Sequence, residues 1–361
     1  MNKILPINPP PIKGYYHYLY PLSILARSDD YLPWFYSNYI QLFYVKYEKF
    51  QFYVHPFSIS PKTKLNYYTT CPLLDVQSID YCISRSLIGD SIAFITDCIN
   101  NGYYVQIDVD DYCIPYRDHY KRSHYLHELL INGYCADRQA FLCSGYTKGR
   151  YSTFEVPFCD IFKALSTPRD VYLEHFNKSG IIRPRFVENM RDRPLWILYK
   201  YNGSNECCFD FKVTYEQLSD YYSSTDSSRK YNLLVRSIDN TMWGMECYNY
   251  LIEVLENSLN DPTQYSPIPM RILYEHKSCM LQRLKYMETH GYLCQSDSLS
   301  ESYARVFQQA HNLHLVMFRW LKNNSASTIS YVIDSLRKIS IEEHRLLDII
   351  LNKLRRQYCQ Q

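Results

Sequence analysis

The hydrophobic pattern changes character near residue 225. Before it, short runs of Tyr, Val, Ile, Leu and Phe alternate with turn residues. After it, apolar positions recur at helical spacing. The densest stretch is 102–156: GYYVQIDVDDYCIP, the polar bridge RDHYKRS (117–123), HYLHELLINGY, CADRQ, AFLCSGY, TKGR and YSTFEV. It predicts three or four adjacent antiparallel strands, with His127 heading the apolar run Leu129-Leu130-Ile131. A histidine in that place presents an imidazole at a sheet edge on a rigid support.

Around this sheet, PINPPPIKG (6–14) reads as an extended arm, and Pro21 as the first-turn proline of a helix, with Pro33 starting a second. KFQFYVHPF (49–57) alternates like a strand. DSIAFITDCINNG (90–102) predicts a helix capped by Asp90 or Ser91, with Ile92, Ile95 and Ile99 on one face and Asn101-Gly102 as its stop. PFCDIFKALSTP (157–168) predicts a short helix. RPLWILYKY, NGSNE and CCFDFKV (193–213) predict a hairpin turning at Asn202-Gly203. SSTDSSRK (223–230) reads as a linker, and helices are predicted near 229–259, 270–290, 299–323 and 327–356. On the last, Ile333, Leu336, Ile339, Ile341, Leu346, Leu347, Ile350 and Leu354 form one apolar stripe. The expected architecture is α+β: an antiparallel sheet with packed helices over 1–225, then an all-α helical bundle over 226–361.

Length and composition narrow the function classes. With 361 residues, 46% apolar and 21% charged, the chain folds around a sizeable core. A net charge of +2 argues against a dedicated nucleic-acid binder. The 38 tyrosines predict half-buried aromatic surfaces or an aromatic-lined cleft. The 13 scattered cysteines form no repeated CxxC pair, and no leader or spanning segment is evident. These features point to reduced thiols in a cytoplasmic protein without membrane attachment. No cofactor and no metal is expected: His124 and His127 are three apart, on opposite faces of a strand, and HExxH is absent. Asp108, Asp110 and Asp111 form a carboxylate cluster. Arg183, Arg185, Arg191 and Arg193 lie in a basic loop that suits either solvent or a phosphate such as a phosphopantetheine arm.

The order GYYVQIDVDDYCIP, HYLHELLINGY, AFLCSGY resembles the papain-like N-terminal domain of the butirosin biosynthesis protein H family. More distantly it is similar to the peptidase domain of bacteriocin-processing transporters. The resemblance covers roughly 14–165. It implies a papain-like fold with a Cys–His–Asp/Asn set, in which a thiolate heading the first helix attacks a thioester or amide and histidine shuttles the proton. Carried over, His127 matches the histidine. Tyr18 or Tyr20 stands where the cysteine belongs, no cysteine precedes Cys71, and Cys143-Ser144-Gly145 occupies the place of the acidic or amide partner. The implied protein is an accessory factor of peptide- or polyketide-type antibiotic biosynthesis, a branch of secondary metabolism. It is related to acyltransferases but is a pseudo-enzyme that binds an acyl or peptidyl carrier partner, with Tyr16, His17, Tyr18, Tyr20 and His124 lining the pocket. One alternative is an active acyl or amide transferase using His127 with Cys143 or Cys71 as a relocated nucleophile. Another is a structural scaffold whose bundle is the interface.

Overall fold

The computed structural model describes residues 2–45, 49–53, 71–79, 81–168, 171, 196–227, 241–260, 267–323 and 325–359. In chain order the elements begin with β1 (Asn2–Ile4), α1 (Tyr16–Leu25), α2 (Leu32–Asn38), β2 (Gln41–Val45), β3 (Lys49–Tyr53), β4 (Leu74–Ile79), α3 (Tyr81–Leu87), α4 (Ser91–Asn100) and β5 (Tyr103–Asp110). They continue with β6 (Leu126–Cys135), β7 (Ala140–Thr147), β8 (Arg150–Pro157), α5 (Phe158–Ser166), β9 (Trp196–Tyr201), α6 (Phe211–Tyr222) and β10 (Thr241–Trp243). Four helices end the chain: α7 (Cys247–Asn260), α8 (Ile268–Thr289), α9 (Leu299–Asn323) and α10 (Ala326–Tyr358). The fold is α+β, with a helical C-terminal region. None of the described helices is long and apolar enough to cross a membrane.

Two compact units divide the chain, and they are not consecutive. The first comprises the described residues of 1–10, 16–29 and 71–206, the second those of 11–15, 30–70 and 207–361. The boundary expected between 225 and 226 therefore falls inside the second unit. The reason is packing: α6, before that boundary, lies on α2, β2 and α10.

The first unit is an antiparallel sheet in the order β4-β9-β5-β6-β7-β8, with β1 also on β6. β6 sits at its centre, bordered by β5 over its first half and by β1 over its last residues, with β7 on its other side. α4 forms as its sequence predicts. Asp90 Oδ1 accepts from the backbone N–H groups of Ile92 (2.9 Å) and Ala93 (3.0 Å), and Ile95 and Ile99 are buried. Gly102, at φ 83°, ends the turn after it in the left-handed region that glycine tolerates.

Two expectations change here. α1 begins at Tyr16, so Pro21 lies in its second turn and not its first. An interior proline loses a backbone bond and costs about 3 kcal/mol. Burial of every residue from Tyr18 to Leu25 outweighs that, at roughly 1.5–3 kcal/mol per large apolar side chain. The hairpin at Asn202-Gly203 does not form. β9 is paired with β4 on one edge and β5 on the other, which leaves no edge for a returning strand. The chain instead enters α6, whose cap is Asp210 accepting from Val213 N at 2.9 Å.

In the second unit β10, β2 and β3 form a small antiparallel sheet. Residues 241–243, expected inside a helix, are therefore strand, and 228–240 lie outside the described residues. So do most of the turn 261–269, the tail of the strand predicted over 49–57, and the basic loop with Arg183, Arg185, Arg191 and Arg193. α8, α9 and α10 pack in succession, and α10 also covers α6 and α7. On α10 the stripe is buried from Ile329 to Leu354, apart from Ile341, which is 73% exposed. Its slot belongs to Glu343. The helical period runs 336, 339, 343, 346, while 341 lies about 200° around the helix from 339.

Candidate functional site

The site assembles on the pairing of β5 with β6. Their register sets Val109 opposite His127 and Asp110 opposite Leu126, and Asp111 N–H extends the ladder to Tyr125 O at 2.9 Å. Two consecutive aspartates at the end of a strand point in opposite directions, and each takes its own histidine. Asp110 is fully buried. Its Oδ2 lies 2.7 Å from His124 Nδ1 and accepts from Thr167 Oγ1 at 3.0 Å, while its Oδ1 accepts from Tyr112 N and Tyr125 N. Asp111 Oδ2 lies 3.3 Å from His127 Nδ1, and its Oδ1 lies 3.2 Å from Arg117 Nε.

Arg117 holds the cluster together. Its Nη1 donates to Tyr16 Oη (3.1 Å) and Tyr146 O (3.0 Å), and its Nη2 to Glu128 O (2.5 Å). Burial opposes its charge, but Tyr20, Asp111 and Tyr16 hold its pKa above the usual arginine value. Gly145 makes room for it: a Cβ there would lie 3.1 Å from Nη1 and 3.3 Å from the Tyr20 hydroxyl. Arg117 follows Tyr116, a non-glycine residue at φ 70° in a connection pinned by buried Ile114. That conformation costs about 1–2 kcal/mol, and it turns the chain so that the guanidinium enters the sheet end.

α1 supplies the aromatic wall. Tyr16, its first residue, meets the His127 ring edge-on at 4.7 Å. Tyr20, one turn on and on the same face, donates its hydroxyl to Glu128 O at 3.0 Å. Burial pushes the Tyr16 phenol up against the opposing pull of Arg117, and pushes Tyr20 up much further. The His127 side chain is 26% exposed, with Nε2 3.8 Å from Glu128 Oε2. One imidazole nitrogen thus faces a buried carboxylate, and the ring keeps access to solvent. That arrangement orients a proton acceptor or a hydrogen-bonding group.

Of the residues expected at the site, His127, Tyr16 and Tyr20 come together. Tyr18 does not, because it lies 200° around α1 from Tyr16 and is fully buried. His17 sits one position past Tyr16, with its ring 4.1 Å from Tyr18. His124 belongs to the Asp110 pair and stacks on Tyr112 at 4.4 Å. Cys143 is fully buried opposite Ile131, four residues along β6 from His127, or about 13 Å at strand rise. Burial pushes its thiol far up. Cys71 precedes β4, three strands from β6 and at the opposite end of the sheet. Neither cysteine faces the imidazole.

Asp111 and Arg117 are the members that sequence reasoning left out of the site. Asp111 was visible in the carboxylate cluster, and strand register alone sets it beside His127. Nothing in RDHYKRS marked Arg117 as buried. No family model matches the chain, and no curated protein matches it.

Proposed function

We propose that the first unit is a divergent relative of papain-like acyltransferases that binds an acyl or peptidyl group without forming a covalent bond to it. The protein would serve as an accessory factor in natural-product assembly, receiving the group from a carrier partner. The carrying observation is Tyr16. It occupies the start of α1 and faces His127, one turn before Tyr20, one of the two positions that the resemblance gives to the cysteine, and its hydroxyl is tied to Arg117 at 3.1 Å. Because burial pushes that phenol up, Tyr16 is not a phenolate at neutral pH and is a poor nucleophile. A second reading, active acyl or amide transfer, draws support from the Asp111–His127 pair, which orients a partly exposed imidazole as a catalytic base requires.

An acyl-N-acetylcysteamine thioester distinguishes them. The binding reading expects saturable binding by calorimetry, weakened at least about tenfold by His127→Ala, with no mass increase on the protein and no thiol release. Acylation of any residue, or catalysed thiol release, would establish the second reading. Absence of binding would leave the scaffold role.

A further inference from the structure

Ile341 breaks the apolar stripe of α10, and what surrounds it gives the exception a meaning. Lys338, Ile341, Glu342 and Arg345 from α10 and Arg305 from α9 line a surface groove of about 370 Å³. Arg305 approaches Glu342 at 3.8 Å, whereas Lys338 and Arg345 make no ion pair with any described residue. The groove is therefore an exposed isoleucine between two uncompensated cations. Those cations stand seven residues apart on one helix, or about 10.5 Å along its axis.

We propose that this groove docks an acidic amphipathic helix of a partner protein, seating one apolar side chain on Ile341 and two carboxylates against Lys338 and Arg345. The complementary pattern is a Glu or Asp, an apolar residue one turn later, and a second Glu or Asp one turn beyond that. Charge selects this occupant over the others. A second copy of the chain meeting itself on this face would set the same cations against each other, because a two-fold interface repeats one patch on both sides. A membrane surface calls for several apolar residues on a broad face, and here a single isoleucine is flanked by charged side chains. A nucleic-acid backbone calls for an extended basic track, and here a carboxylate shares the groove in a chain of net charge +2. The inference does not rest on the reading of the first unit.

The test uses the full chain and a fluorescein-labelled, lactam-stapled helical peptide carrying Glu, Leu and Glu at that spacing, read by fluorescence anisotropy. Saturable binding is expected, weakening with salt. The double variant K338E/R345E should lose at least about tenfold in affinity, and Ile341→Asp about fivefold. A peptide with Lys in place of both Glu residues should bind the double variant better than the original chain. His127→Ala should leave every value unchanged. All these groove positions are exposed, and an unchanged melting temperature confirms folding. The proposal is overturned if the peptide fails to saturate at millimolar concentration, if a scrambled peptide binds as well, or if K338E/R345E binds unchanged. It is also overturned if the same variant abolishes capture by phosphatidylglycerol vesicles in place of peptide binding, or if sedimentation shows a dimer that K338E/R345E dissolves.

Discussion

Each unit holds a polar cluster made from the same parts: a cation, a carboxylate, tyrosines and a histidine. In the first unit Arg117, Asp111, Tyr16 and His127 meet at the end of a strand, with the imidazole open to solvent. In the second, Lys277 and Glu343 pair at 2.7 Å with both side chains fully buried. Tyr221, Tyr248 and Tyr303 all donate to Glu343, and Lys277 Nζ also lies 3.1 Å from His276 Nδ1. Burial pushes Lys277 down, with Glu343 opposing, and drives all three phenols well up. The difference is access. The sealed cluster can only hold α6, α7, α8, α9 and α10 in register, whereas the open one presents a partly exposed imidazole to solvent. Similar chemistry thus serves the fold in one place and a site in the other.

The largest test of that contrast falls on the sealed cluster. Glu343→Leu leaves the Lys277 ammonium buried without its carboxylate and should cost about 3–5 kcal/mol in urea denaturation. Adding Lys277→Met should recover the part of the loss due to the lone charge, leaving the cost of the Tyr221, Tyr248 and Tyr303 hydroxyls that no longer have Glu343 as acceptor. A cost below about 1 kcal/mol for Glu343→Leu alone would mean the ion pair does not hold the helices. Arg117→Met comes next, at about 2–3 kcal/mol, because Asp111 keeps His127 as a partner when the guanidinium is gone. Full loss of folding would show that the first cluster is as structural as the second.

Sequence patterning made the order of β5, β6 and β7 legible, and with it the strand that carries His127. The reason is that burial on a pleated face imposes a short-range alternation. The same logic gave the Asp90 cap and the last three helices nearly to their ends. What stayed hidden depends on long-range pairing. β9 inserts between β4 and β5, so its own turn signal at Asn202-Gly203 has no strand to feed. β10 joins β2 across some 200 residues. Arg117 and Lys277 look like solvated charges until their partners are known. Glu343 looks like an interruption of the stripe, and Ile341 like its continuation, because a one-dimensional pattern tolerates either phase until α8 supplies Lys277.

A third test separates the clusters by pH. His276 is fully buried. It donates Nε2–H to Ile40 O at 2.7 Å and turns Nδ1 toward Lys277. Desolvation, then the Lys277 and Arg283 charges, push its pKa well below the ordinary histidine value of about 6.5, so it is neutral in the fold. The unfolded chain binds a proton there below pH 6.5 and the folded chain does not. The stabilisation is therefore complete above 6.5 and lost as pH falls toward the folded value. Stability from this group should fall as pH drops below about 6.5. Between pH 7 and pH 5 the original chain should lose more stability in denaturation than His276→Gln does. Equal differences would place the acid sensitivity elsewhere.

The smallest effect expected is the most telling about function. His127 is partly exposed, its contact with Asp111 is long at 3.3 Å, and Asp111 retains Arg117 when the ring is removed. His127→Ala should therefore cost no more than about 1 kcal/mol, the loss of one edge-on ring contact and local packing. A cost of 3 kcal/mol or more would make the open cluster a second structural lock and remove the basis for assigning it a ligand. A small cost accompanied by loss of thioester binding would be the signature of a residue kept for its exposed face. Iodoacetamide labelling sharpens the same variant. If the site has no nucleophilic thiol, the original chain and His127→Ala should label at equal rates. A single fast-reacting cysteine slowed by His127→Ala would instead reveal a thiol coupled to the imidazole.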